Sequence, residues 1–274
     1  ATGKQGVITF QQSFHGRTFG AMAATGQDKI KKGFGDGVPH FSYAVYNDLA
    51  SVEDLVNQDT AAIMLELIQG ESGVRPAEAA FVKDLADFCQ QEGLLLIVDE
   101  VQTGMGRTGQ LYSFEHYGII PDIVTLAKGL ANGLPAGALL GKSSLAPAFG
   151  PGSHGSTFGG NKLAMATALE TLHIMKETGF MEEVRSKSAI LLEQLQLAFK
   201  DHPNISAVLG LGMMIGIETS AGLSRLVEAA RQKGLIILTA GENVIRLLPP
   251  LTISREEIQQ GIAILKEVFS EVDE

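Results

Sequence analysis

Two residues of this chain are placed to do chemistry together: Asp99, which closes the apolar run Leu94–Val98, and Lys128, which follows a second apolar run, Ile123–Ala127. A buried strand that ends on an acid delivers a carboxylate to the mouth of a parallel sheet, and open α/β sheets bind ligands outside those carboxyl ends. The second run delivers an amine in the same manner, and Gly129, Ala131 and Gly133 leave room beside it for a bulky group. An amine that can hold an aldehyde covalently, facing an acid that can keep a ring nitrogen protonated, suggests pyridoxal-phosphate chemistry. The apolar, small-residue context is expected to desolvate Lys128 and favour the neutral amine a nucleophile needs. Burying charge without a partner is costly, which argues against a purely structural role for two acids, Asp99 and Glu100, at a buried strand end.

The elements that must position these residues follow from the alternation of apolar runs and amphipathic stretches. Strands are predicted over Val7–Phe10, Ala61–Leu65, Leu94–Val98, Ile123–Leu126 and Ala136–Leu140, and helices over Asp48–Asn57 and Ala79–Gln91. This order predicts an α/β fold with a mostly parallel sheet covered by helices. Two long helical stretches follow, Lys162–Lys176 and Met181–Asp201, long enough to bridge two domains. The tail is mixed, with strands near Ile205–Leu209, Met213–Glu218, Ile236–Leu238 and Val244–Leu248 and helices over Leu223–Lys233 and Arg255–Val272. The predicted organisation is a large domain over 1–182, ending in a bridging helix, and a smaller C-terminal α+β domain over 183–274. Gly6–Phe10 reads as a core strand with no preceding helix to cover it, so the chain is expected to be the later part of a longer one.

Composition narrows the function classes. The 274 residues are 45% hydrophobic, enough for a sizeable core, and the net charge of −10 argues against a nucleic-acid-binding surface. The lone Cys89 cannot form an intrachain disulfide, which points to a reducing cytoplasm, and no apolar run approaches the roughly 18 residues of a membrane span. No metal site is expected. Gly104, Gly106 and Gly109 match G-x-G-x-x-G after a strand, yet two acids stand where a pyrophosphate would approach and no helix is predicted to open there, so a nucleotide-binding oxidoreductase is disfavoured. Gly210, Gly212 and Gly216 run on into a strand, and Gly141-Lys142-Ser143 lacks the first glycine of a phosphate loop.

Five motifs in order carry a resemblance: Phe14-His15-Gly16-Arg17-Thr18, Gln69-Gly70-Glu71, Asp99-Glu100-Val101-Gln102-Thr103-Gly104, Ala127-Lys128-Gly129, and Gly155-Ser156-Thr157-Phe158-Gly159-Gly160-Asn161. Together they resemble the class III, ornithine-type aminotransferases of the fold type I pyridoxal-phosphate enzymes, over essentially the whole chain. The resemblance implies that Lys128 holds the cofactor and shuttles a proton, and that Asp99 pairs with the pyridine nitrogen. Val101 and Phe14 would face the two sides of the ring, Gln102 its phenolic oxygen, with His15 close by and Glu100 supporting from behind. Thr157, with Ser156 beside it, would reach the cofactor phosphate of the neighbouring subunit, which implies a homodimer with shared active sites. Arg17 and Arg246 match the family's two carboxylate-binding arginines. Glu71 resembles the acid that pairs with Arg246 and releases it when glutamate binds.

The implied reaction is ping-pong transamination of N-acetylornithine with 2-oxoglutarate in arginine biosynthesis, with ornithine, succinyldiaminopimelate or 4-aminobutyrate as alternative donors. Leu67, Ser72 and Lys162 depart from the residues usual in the family at those places. The family's Ser-Gly turn, which binds the cofactor phosphate at a helix N-terminus, is expected to precede Ala1 and is absent from this chain. That absence motivates one competing expectation, a truncated, non-catalytic relative that keeps the dimer interface.

Overall fold

The computed structural model describes residues 1–35 and 37–272. Its strands are β1 (Gly6–Phe10), β2 (Phe41–Ala44), β3 (Thr60–Leu65), β4 (Ile68–Gln69), β5 (Arg75–Pro76), β6 (Leu95–Asp99), β7 (Ile123–Leu126), β8 (Ala138–Gly141), β9 (Ile205–Leu211), β10 (Met214–Thr219), β11 (Leu238–Ala240) and β12 (Val244–Leu247). The α-helices are α1 (Phe19–Ala24), α2 (Asp28–Lys31), α3 (Leu49–Glu53), α4 (Ala79–Glu92), α5 (Lys162–Met175), α6 (Phe180–Phe199), α7 (Leu223–Gln232) and α8 (Arg255–Val272). Two compact units result, one of residues 1–67, 77–105 and 112–175, the other of residues 68–76, 106–111 and 176–272.

The first unit is built on a six-stranded sheet in the order β2-β1-β3-β6-β7-β8. Its strands run parallel except β8, which pairs antiparallel with β7. The exception has a simple cause. The connection over 127–137 carries only the short 3-10 turn Lys128–Leu130, too little chain for a crossover helix, so the strand returns alongside its predecessor. Phe10, Ile63, Leu65 and Val98 from the strands meet Phe81, Val82, Leu85 and Cys89 of α4 in one apolar core. The spacing of those four α4 residues is that of a single helix face, and the helix stops at Gly93 in the left-handed conformation at φ +66°. The edge strand β2 was not anticipated, because Phe41-Ser42-Tyr43-Ala44 is short and three of its four residues stay partly exposed. The helix expected over Asp48–Asn57 is shorter, capped by the Asp48 carboxylate on the Ser51 N–H.

The second unit has a four-stranded antiparallel sheet, β11-β12-β10-β9, against α6, α7 and α8. Helix α8 begins with a reciprocal cap, Ser254 Oγ accepting from Glu257 N and Glu257 Oε2 from Ser254 N, and buries Ile258, Ile262, Leu265 and Phe269 along one stripe. The first unit closes with α5 at Met175, whereas the expected border at 182/183 lies inside α6. Two short excursions also join the second unit. In 68–76, β4 and β5 pair with each other and Ile68 and Val74 share a core with Met214, Ala240 and Val244. In 106–111, Arg107 Nη1 donates to the carbonyls of Met213 and Pro249, while Met213 N donates to the Arg107 carbonyl.

Cys89 is fully enclosed in the first core, and burial, with the charge of Asp122 adding, pushes its thiol up to about 12. Reactivity needs the thiolate. A chromogenic disulfide reagent at pH 8 is therefore expected to leave the native protein unlabelled and to release one equivalent after denaturation; rapid labelling of folded protein would contradict this packing.

Candidate active site

Strand β6 ends on Asp99, which lies opposite Thr125 in the parallel register with β7. Its carboxyl group is buried and held by three donors, which leaves Oδ2 one further acceptor site. Oδ2 accepts from His15 Nδ1 at 2.7 Å, and Oδ1 accepts from Val101 N and from Thr125 Oγ1, each at 3.0 Å. Because the acid only accepts, Nδ1 of His15 carries a proton, and this leaves Nε2 of the same ring buried with no partner. The loop after β1 brings the histidine there. Gly26 lies so close to β1 that an added Cβ would fall 2.0 Å from the Phe10 carbonyl oxygen, and Gly26 N donates to Ser13 Oγ. Thr25 Oγ1 then accepts from His15 N, and the buried Glu66 accepts from Phe14 N at 2.9 Å.

Glu100, the next residue, is also buried. It accepts from Ser113 Oγ at 2.8 Å, from Phe114 N at 3.0 Å and from the Thr103 hydroxyl. Burial outweighs these bonds and raises its pKa. Gly104 packs under this turn, where a Cβ would lie 2.9 Å from the Glu100 carbonyl oxygen, and residues 101–110 form turns and bends. The glycine pattern therefore serves packing, without the helix a dinucleotide site requires.

Lys128 comes two residues after the end of β7 and has φ +45°, a left-handed conformation rarely taken by residues with a side chain. The expected desolvation is not supplied: Lys128 and Gly129 are exposed, because the 3-10 turn buries Leu130 and Ala131 instead. Val101 and Gln102 are half-buried in the turn after Asp99. The Arg17 guanidinium sits over the Phe14 ring, 5.7 Å from its centroid, so a predicted substrate residue and a predicted ring neighbour stand together. Ser156 and Thr157 lie on an exposed loop whose described bonds are internal, among them Gly159 N to Ser156 Oγ at 3.0 Å. In the second unit, Arg246 Nη1 donates to Glu71 Oε1 at 3.0 Å and to the Gly70 carbonyl at 2.7 Å. Thr125, Thr25 and Glu66 were missed as supports; a single threonine in the run Ile123–Leu126 is the one available signal.

Comparison with known proteins supplies the family. The class-III aminotransferase profile matches residues 1–269. The chain belongs to the class-III aminotransferase family. It is 66% identical over 271 residues to acetylornithine aminotransferase of Streptococcus mutans, covering 99% of this chain and 72% of that protein. The corresponding enzyme of Listeria innocua is 56% identical over 268 residues, 98% of this chain and 70% of the relative. Among solved structures, ornithine aminotransferase of Toxoplasma gondii superposes with a TM-score of 0.94 at 30% identity, covering all of this chain and 66% of that one. The chain thus spans about two thirds to three quarters of these relatives.

The class-III family uses pyridoxal phosphate, and the residues of the first unit fit that group. A buried acid suits a ring nitrogen, an amine in the turn after the adjacent strand suits an aldehyde, and the orphaned Nε2 of His15 marks a polar place left open for a partner.

The pKa of Glu100 yields a signed expectation. A carboxyl whose folded pKa is raised holds its proton more tightly in the native state, so its contribution is complete below the ordinary value of 4.5 and is lost as pH rises through the folded pKa. The stability difference between the parent and Glu100→Gln, from denaturant titrations at a series of pH values, should favour the variant increasingly above pH 4.5. A pH-independent difference would show that burial does not raise the Glu100 pKa.

Proposed function

We propose that this chain forms the main part of an acetylornithine aminotransferase, moving the δ-amino group of N-acetylornithine to 2-oxoglutarate in two half-reactions. The observation that carries the chemistry is the buried Asp99, held by three donors at the end of one strand while Lys128 follows the next. The substrate follows the acetylornithine aminotransferases that the chain resembles at up to 66% identity.

When bound, pyridoxal phosphate supplies an aldehyde to take up the amino group and a ring to store the electron pair left by a departing proton. Asp99 stabilises positive charge on the ring nitrogen, and His15 keeps the carboxylate oriented through its other oxygen. Gln102 offers its amide N–H to the phenolic oxygen, while Phe14 and Val101 confine the ring. Lys128 Nζ would hold the aldehyde of the group, and as a free amine it would hold and move the proton of the reacting carbon. Arg17 and Arg246 take substrate carboxylates. Glu71 neutralises Arg246 while the amino donor is bound and leaves it when the dicarboxylate enters.

We also propose a homodimer in the cytoplasm, in which Ser156 and Thr157 serve the partner's cofactor. The support is the exposure of large apolar side chains on the first unit, among them Leu139 on β8, Phe158 on its loop, and Leu163 and Leu169 on α5. No helix among the described residues is long and apolar enough to cross a membrane.

Adding pyridoxal phosphate to the full-length protein is expected to give a visible absorbance band that Lys128→Ala abolishes. The same substitution should lower turnover of N-acetylornithine with 2-oxoglutarate by at least about 10²- to 10⁴-fold, the range a positioned proton-transfer group contributes. Faster turnover of ornithine, succinyldiaminopimelate or 4-aminobutyrate would reassign the donor. Light scattering should report a dimer, and Leu163→Glu with Leu169→Glu should shift it to the monomer; an unchanged mass would place the interface elsewhere.

A further inference from the structure

Glu71 meets Arg246 because its backbone lies in a seat formed by two glycines of the sheet that carries the arginine. We propose that Gly241, assisted by Gly216, is the positioning residue of this ion pair and thereby sets how the site discriminates the amino donor from the dicarboxylate acceptor. The proposal rests on the reading of Glu71 and Arg246 given above.

Gly241 lies in the turn between β11 and β12, with φ +61°, and donates its N–H to the Glu71 carbonyl at 2.9 Å. A Cβ there would stand 2.7 Å from the Ser72 carbonyl oxygen and 3.1 Å from its carbon. The obstacle is backbone, which cannot rotate away. Any side chain at 241 must push the Ser72–Gly73 peptide off the turn and strain the bond that Gly241 N makes to the Glu71 carbonyl just before it. Gly216 holds the other end of the same segment. It faces Arg246 across the β10–β12 ladder, and a Cβ on it would lie 2.9 Å from Val74 Cβ. Val74 is buried at φ +51°, a conformation that a β-branched residue keeps only where its surroundings impose it.

Both grips are therefore on the hairpin and ladder that hold Arg246, so guanidinium and carboxylate share one frame. Their contact is 3.0 Å, and a shift of well under an ångström ends it as a hydrogen bond. Beside the pair, Arg246 Nε and Ser72 Oγ are buried with no partner, hydrogen-bonding capacity that an arriving carboxylate can use. With Glu71 displaced, Arg246 is no longer neutralised while the donor binds and attracts the carboxylate of either substrate. Discrimination then moves toward the dicarboxylate.

The test compares Gly241→Ala, Glu71→Ala and the double variant in the full-length, cofactor-loaded protein, with Gly234→Ala as the control. Gly234 is also left-handed, at φ +82°, but a Cβ there meets nothing within 4 Å, so it carries the strain without the collision. Folding is checked by thermal melts, kcat and KM are measured separately for N-acetylornithine and 2-oxoglutarate, and glutarate binding is followed by calorimetry. Gly241→Ala should lower the donor-to-acceptor ratio of kcat/KM by about fivefold, in the direction of Glu71→Ala, and add nothing in the Glu71→Ala background, as contacting residues do. Gly234→Ala should leave the ratio unchanged. Equal effects on both substrates, or an undiminished effect without Glu71, would overturn the proposal. Should Gly241→Ala not fold, Gly216→Ala, whose methyl meets only side chains, decides by the same ratio. A parent protein that does not transaminate N-acetylornithine defeats the functional reading instead, and the glutarate cycle then decides on Gly241 alone.

Discussion

A carboxylate at the end of a buried strand can remain there only if its lost hydration is replaced by donors held in place, and Asp99 imposes that requirement on the first unit. Its three donors come from separate parts of the chain: His15 from the loop after β1, Val101 from the turn that follows, and Thr125 from the neighbouring strand. His15 is itself anchored by Thr25, and Phe14 beside it by Glu66. The parallel sheet is thus the frame that brings an acid, its histidine and the strand leading to Lys128 to one edge. Glu100 repeats the arrangement one residue later, with its own donors in Thr103, Ser113 and Phe114.

Backbone strain touches the proposed chemistry at one residue and the segment that follows Glu71 at another. Lys128 and Val74 both occupy the left-handed region, and such conformations cost of order 1–3 kcal/mol each. At Lys128 the strain turns the chain sharply from β7 into the return toward β8, which explains both the exposure of the lysine and the single antiparallel pairing in the sheet. At Val74 it bends the segment after Glu71 back over Gly216. The glycines at 104, 216 and 241 act in the complementary way, by leaving out a side chain where backbone or another residue must come close.

The second unit meets a different demand. Arg246 stands in a ladder among apolar neighbours, and a buried guanidinium needs compensation. It receives that from Gly70 and Glu71, far away in sequence, which explains why residues 68–76 leave the first unit. Arg107 draws 106–111 across for a similar reason, since its guanidinium is buried, with its pKa lowered to about 10 by desolvation, and satisfies two carbonyls of that unit.

Much of this was determined by the sequence alone. The apolar runs fixed β3, β6, β7 and α4 within a residue or two, because a buried parallel strand and a one-faced helix leave periodic patterns; five motifs in order identified the family and its cofactor. Local pattern also set the C-terminal helices, whose stripes and caps are contained in their own residues. What tertiary structure decided is what depends on residues distant in the chain. The pairing of His15 with Asp99, the support from Thr125 and Glu66, the exposure of Lys128, the antiparallel β8 and the transfer of 68–76 and 106–111 to the second unit are examples. Each turns on a hydrogen bond or a close approach between segments whose separation no local periodicity records, and a glycine such as Gly241 shows its purpose only once the backbone it must admit is in view.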